Sequence, residues 1–124
     1  MIALIRCTKI LPVLSFFALF LGQTAQAQRD YSNVEVTSHH VSGTYYYLAG
    51  AGGNIGISVG EDGVIMIDDQ FAPLTEKILA AITGLSNGEI RFVINTHVHP
   101  DHTGGNENLG TMGLVILARD EVRV

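Results

Sequence analysis

The chain has 124 residues, 47% of them hydrophobic and 15% charged, with 7 Lys and Arg against 12 Asp and Glu and a formal net charge of −5. That length supports one modest core, and the acidic balance repels phosphate backbones, which argues against nucleic-acid partners and a nuclease role. Cys7 is the only cysteine, so no intrachain disulfide framework is available.

Residues 1–27 read as a secretory signal peptide. Arg6 and Lys9 supply a positive start, Ile10 to Leu21 an apolar stretch broken by Pro12 and Ser15, and Ala25-Gln26-Ala27 a small-x-small cleavage site. The apolar stretch is shorter than the about 20 residues that a bilayer span requires. The expected mature protein, residues 28–124, is periplasmic or secreted, with no stable membrane association after cleavage. Losing Arg6 and Lys9 leaves five basic against twelve acidic residues, a net charge of −7, and no cysteine.

No internal repeat, low-complexity tract or linker divides residues 28–124. Gln28 to Val36 is a polar, extended lead-in. Strands are expected at Thr44 to Ala49, Asn54 to Val59 and Val64 to Ile67, the last two joined by Gly60-Glu61-Asp62-Gly63, which has the Asp-Gly chemistry of a tight hairpin. The pattern then turns helical over Ala72 to Leu85. Leu74, Ile78, Ile82 and Leu85 recur at helical spacing, with Pro73 suited to a first turn and Gly84 near the end. Ile90 to Asn95 reads as a buried strand, a short helix is expected after the loop that follows it, and Leu114 to Ala118 reads as a last strand. Asp120 could cap a further helical turn.

The strand at Ile90 to Asn95 delivers the run Thr96-His97-Val98-His99-Pro100-Asp101-His102-Thr103-Gly104-Gly105. Three imidazoles and one carboxylate fall within six consecutive residues, His97, His99, Asp101 and His102. These are the side chains that bind zinc and similar transition metals. An extended His97-x-His99 pair puts both rings on one face of the chain, and Pro100 biases His99 toward that extended conformation. Asp101 and His102 come from the turn and can diverge toward a second, adjacent metal. Gly104 and Gly105 permit a tight turn or the close approach of another segment.

The chain resembles the metallo-β-lactamase superfamily, whose H-x-H-x-D-H signature is matched by His97, His99, Asp101 and His102. Gly63-Val64-Ile65-Met66-Ile67-Asp68 is also similar to that family's strand ending in a buried aspartate, and the resemblance runs over about Thr44 to Val124. It implies an α/β fold, the four-layer αββα sandwich, of which this chain covers about the first half. It further implies that His97 and His99 bind a first zinc and that Asp101 and His102 bind a second. An activated hydroxide would then attack an ester, lactone, lactam or related bond of a small-molecule substrate. Asp101 would in addition act catalytically, orienting the nucleophile and shuttling a proton, and Asp68 would hold the histidine loop from behind the metal ligands. Asp69 reads as a solvated neighbour. His39 and His40, which match no family ligand, read as surface or substrate-rim residues, and Tyr45, Tyr46 and Tyr47 as strand residues alternating between core and surface.

The family pattern also requires a further histidine for the first site, a bridging aspartate and a last histidine, all from a second half. No histidine follows His102, and only Glu107, Asp120 and Glu121 remain as acids. The chain is therefore expected to be the amino-terminal part of a longer hydrolase. Two alternatives stand beside it: an iron-dependent oxidoreductase of the same fold, such as the persulfide dioxygenases, and a non-catalytic truncated product.

Overall fold

A computed structural model describes residues 29–122; the expected signal peptide, residues 1–27, lies outside them. Six strands form one sheet in sequential order: β1 (Thr37–Ser42), β2 (Tyr45–Ala49), β3 (Ile55–Gly60), β4 (Gly63–Ile67), β5 (Ile90–Ile94) and β6 (Val115–Leu117). β1 to β4 run antiparallel, joined by short connections. β4, β5 and β6 are parallel, so each of their connections must cross over the sheet, and helices make those crossings. A 3₁₀ turn at Ala72–Leu74 followed by α1 (Thr75–Thr83) lies between β4 and β5, and α2 (Pro100–Thr103) and α3 (Asn106–Thr111) lie between β5 and β6.

The hydrophobic pattern explains which face is covered. In β4, Val64 and Met66 are buried while Ile65 and Ile67 are not. The inward residues meet Leu48, Ile55, Ile57 and Val93 from other strands and Leu74, Ile78, Ile82 and Leu109 from the helices. Three of the four residues picked out by helical spacing are thus core residues, and Gly84 closes α1 as expected. Lys77 ties the lead-in to this helix, its Nζ donating to the carbonyls of Tyr31, Ser32 and Val34 at 3.2, 2.8 and 2.7 Å.

The opposite face of the sheet is apolar and, among the described residues, uncovered. Ile65, Ile67, Phe92, Ile94, Val115 and Leu117 are 36–51% exposed, and the strand register sets Ile67 beside Ile94 and Ile94 beside Leu117. A face of this kind is where a further layer packs in two-layer and four-layer architectures.

Two elements differ from the sequence expectation. β1 is an added edge strand, where only a lead-in and two histidines were expected. All six of its residues are exposed, so no hydrophobic alternation marks it. It is held by backbone pairing to β2 and by cross-strand rings, His39 stacked on Tyr47 at 4.7 Å and His40 edge-on to Tyr46 at 5.1 Å. Tyr45, Tyr46 and Tyr47 do alternate, with Tyr46 packed toward the core and its neighbours outward. After β6, Asp120 opens only a 3₁₀ turn, Asp120–Val122.

Candidate metal centre

The centre forms at the carboxyl ends of β4 and β5, where ligand sites in α/β sheets commonly lie. The parallel ladder runs on past the strands: Asp68 N–H donates to Ile94 O and Asn95 N–H to Leu117 O, both at 2.9 Å. This brings Asp68, at the end of β4, level with the loop that leaves β5. There the chain departs from strand geometry through left-handed residues, with φ of +64° at Asp68 and +55° at Gln70. Such backbone costs of order 1–3 kcal/mol per residue, and it persists where surrounding contacts fix it.

Those contacts are specific. Both Asp68 oxygens are engaged: Oδ1 accepts the Thr96 N–H at 2.8 Å, while Oδ2 accepts the Thr96 hydroxyl at 2.8 Å and faces His102 Nδ1 at 2.7 Å. The Thr96 oxygen in turn lies 2.9 Å from His97 Nδ1. A carboxylate only accepts, so this arrangement puts protons on His102 Nδ1 and on the Thr96 hydroxyl. The hydroxyl oxygen is then left to accept from His97 Nδ1. In the resulting tautomers the Nε2 atoms of His97 and His102 both carry lone pairs, the form in which imidazole binds a metal.

His99 has the extended backbone expected before Pro100, φ −64° and ψ +141°. Its Nδ1 comes within 3.2 Å of His97 Nε2, and the rings of His97 and His102 stand 4.0 Å apart. Asp101 and His102 occupy α2, not a free turn, and Asp101 Oδ2 lies 3.7 Å from His102 Nε2. The structure therefore brings together all four residues of the H-x-H-x-D-H run. Ligand atoms of Asp68, His97 and His102 also lie within 4.8 Å of one another. Asp68 nevertheless has its oxygens committed to Thr96 and to the far side of His102, the position of a carboxylate that orients a ligand from behind. This donor set fits a transition metal: imidazole Nε2 atoms left outside the Asp68–Thr96 network, one neighbouring carboxylate, and a hydrogen-bonded support for the rings.

The backbone of His102 is held as firmly as its ring. Its carbonyl accepts from Asp69 N–H at 3.0 Å and from Asn95 Nδ2 at 3.2 Å. Asp69 is thus not a solvated neighbour, as its polarity suggested. It is 1% exposed, and its Oδ1 accepts the Gly105 N–H at 2.9 Å. Burial raises its pKa from 3.8 to about 6, an effect that the Gly105 hydrogen bond and the neighbouring Asn95 side chain partly oppose. Gly104 and Gly105 serve close approach and not a left-handed turn. A Cβ on Gly104 would stand 2.7 Å from the Gln70 carbonyl, and one on Gly105 3.1 Å from the Asp69 carbonyl.

Thr96, Asp69, Asn95 and Gln70 escaped the sequence reading. Thr96 directly precedes His97, and Asp69 and Gln70 directly follow Asp68, so adjacency was the one available signal. His39 and His40 are exposed on β1, paired with tyrosines.

The sequence pattern of the metallo-beta-lactamase superfamily matches residues 48–111, a span that includes Asp68 and every residue of the H-x-H-x-D-H run. The chain belongs to the metallo-beta-lactamase superfamily. Solved structures agree on the fold. A metallo-beta-lactamase of Pseudomonas aeruginosa in its mono-zinc form superposes with a TM-score of 0.64 at 23% identity, over 72% of this chain and 44% of that one. A subclass B3 metallo-beta-lactamase of Bradyrhizobium japonicum gives 0.57 at 26% identity, over 66% of this chain and 32% of that one. A metallo-beta-lactamase of Hirschia baltica gives 0.62 at 22%, over 69% and 44%. The chain thus spans less than half the length of these relatives. No curated protein matches it in sequence.

Proposed function

We propose that this superfamily chain carries the amino-terminal, metal-binding part of an exported zinc-dependent hydrolase acting on small molecules. The observation that carries the reading is the Asp68–Thr96–His97 and Asp68–His102 network, which leaves two imidazole Nε2 atoms as lone-pair donors beside His99 Nδ1. In this reading His97 and His99 hold one zinc, and Asp101 and His102 contribute to a second. Bound zinc would supply Lewis acidity and lower the pKa of water from 15.7 to about 7.

The residues of the chain perform the remaining tasks. Asp68 fixes the ring of His102 and, through Thr96, that of His97. Asp101 lies at the edge of the cluster, where its carboxylate can orient an attacking water and take up its proton for delivery to a leaving group. The apolar sheet face and the share of the relatives' length spanned here both support further ligands from outside these residues. Export rests on the pattern of residues 1–27. An ester, lactone, lactam or thioester would suit this chemistry equally, because the pocket walls decide among them.

The test is elemental analysis of the full chain after metal-replete purification, followed by competition with a chromophoric chelator. Bound zinc that is lost in His97→Ala supports the reading. Stoichiometric iron would redirect it to an oxidoreductase of the same fold, and absence of any bound metal would end it.

A further inference from the structure

We infer that Gln70 is a positioning residue for the metal centre: it locks the Gly50-Ala51-Gly52-Gly53 loop against Asp101 and His102. The inference rests on the reading of those two residues as metal ligands. Gln70 is fully buried, although it is a polar residue in left-handed backbone. Its amide is spent entirely on the loop between β2 and β3. Oε1 accepts the Ala51 N–H at 3.3 Å and Nε2 donates to the Gly53 carbonyl. Gly50 makes room for it, since a Cβ there would stand 2.6 Å from Gln70 Oε1.

The far side of the same loop touches the centre. Gly53 N–H donates to Asp101 Oδ2 at 3.0 Å. A Cβ on Gly52 would lie 2.5 Å from Asp101 Cβ, and one on Gly53 would overlap the His102 ring at Cε1 and Nε2. The loop therefore lies directly against the two ligating groups, and the Gln70 amide holds it there through Ala51 and Gly53. Gly53 is joined to Gln70 through its carbonyl and to Asp101 through its amide. A shift of the loop would therefore turn the Asp101 carboxylate. Gln70 also closes the structure from its main chain, because its carbonyl lies where a Cβ on Gly104, directly after α2, would stand. One residue thus braces the Asp101–His102 turn from the loop side and from the helix side.

The experiment compares the full chain with Gln70→Met, which keeps the volume and removes both hydrogen bonds, and Gln70→Gly, which relieves the left-handed backbone while removing the side chain. Zinc affinity by chelator competition and the visible spectrum of the cobalt-loaded protein are read alongside the melting temperature of the metal-free form. The expected result is a roughly 10-fold to 100-fold loss of zinc affinity in both variants, the range seen when groups supporting a metal ligand are removed, with an altered cobalt spectrum. If Gln70→Met fails to fold, Gln70→Gly decides. Wild-type zinc affinity and cobalt spectrum with only a lowered melting temperature would show Gln70 to be a structural residue and overturn the proposal. Loss of affinity in Asp101→Ala without any in the Gln70 variants would overturn it while sparing the metal site. No zinc bound by the parent chain would overturn both.

Discussion

Asp68 and His102, thirty-four positions apart, meet at 2.7 Å through Oδ2 and Nδ1. The contact depends on the parallel pairing of β4 with β5, which sets the end of one strand beside the loop leaving the other. It also depends on left-handed backbone at Asp68, which turns the carboxylate toward Thr96 and His102. The carboxylate is buried, so its acceptors cannot be replaced by water without opening the loop.

Asp68→Ala leaves the Thr96 N–H and the His102 Nδ1–H without acceptors. A buried donor stranded in this way costs about 1–3 kcal/mol; these donors are only part-buried, so metal-free stability should fall by roughly 1–3 kcal/mol. Asp68→Asn should cost less stability, because its carbonyl still accepts from Thr96. Its amide would face His102 Nδ1 as a second donor and force the other tautomer, so zinc affinity should drop about 10-fold or more. Urea unfolding with chelator present, together with zinc competition, measures both effects. Parent values for both variants would remove Asp68 from any supporting role.

That His97, His99, Asp101 and His102 would lie together could be read directly from their spacing, and Pro100 announced the extended His99. The α1 helix was equally plain, since Ile78 and Ile82 share one buried face, which Leu74 extends from the 3₁₀ turn before it. β1 was not, because an edge strand with six exposed residues buries no apolar face to leave a periodic mark. Asp69 and Gln70 look like surface residues in sequence. Their burial follows from the loop of Gly50 to Gly53 and the turn of Gly104-Gly105 folding onto them. That is a tertiary fact with no local signal beyond the glycines themselves.

His97→Ala and His99→Ala should each weaken zinc binding severely while leaving the metal-free fold close to the parent, since neither ring belongs to the core. Zinc that binds only the folded state adds about 2.7 kcal/mol of stability at a free concentration 100 times its dissociation constant. The gain in melting temperature on adding zinc should therefore shrink or vanish in both variants. An undiminished zinc-induced shift in both would refute the assignment of the pair.

Gly53→Ala is a steric probe of the same centre. Gly53 is not among the left-handed glycines, so alanine meets no backbone penalty there and its methyl group acts through space. That group would overlap the imidazole edge of His102 that carries Nε2. Zinc affinity should fall by about 10-fold or more. Gly110→Ala, where a Cβ finds only Ile116 Cδ1 at 3.9 Å, should leave it unchanged. Equal zinc binding by the two variants would mean that the loop is free to retreat from His102.

Asp69 gives the fold a pH dependence whose sign runs against that of a paired carboxylate. Its pKa rises from 3.8 to about 6 in the folded protein, so between these values the native state holds a proton that the unfolded chain has released. Stability must then fall as pH rises through this window, and below about pH 4 the effect disappears because both states are protonated. At about 1.4 kcal/mol per pKa unit, the penalty at neutral pH is at most about 3 kcal/mol. Asp69→Asn retains an oxygen to accept from Gly105 and carries no charge to desolvate. With chelator present to hold the metal state constant, urea unfolding from pH 4 to pH 7 should show the parent losing stability relative to Asp69→Asn. The variant should match or exceed the parent at pH 7. Parallel pH profiles for the two proteins would show that Asp69 is ionised in the fold without cost, and that solvent or a cation reaches its second oxygen, Oδ2, which is buried without a hydrogen-bond partner among the described residues.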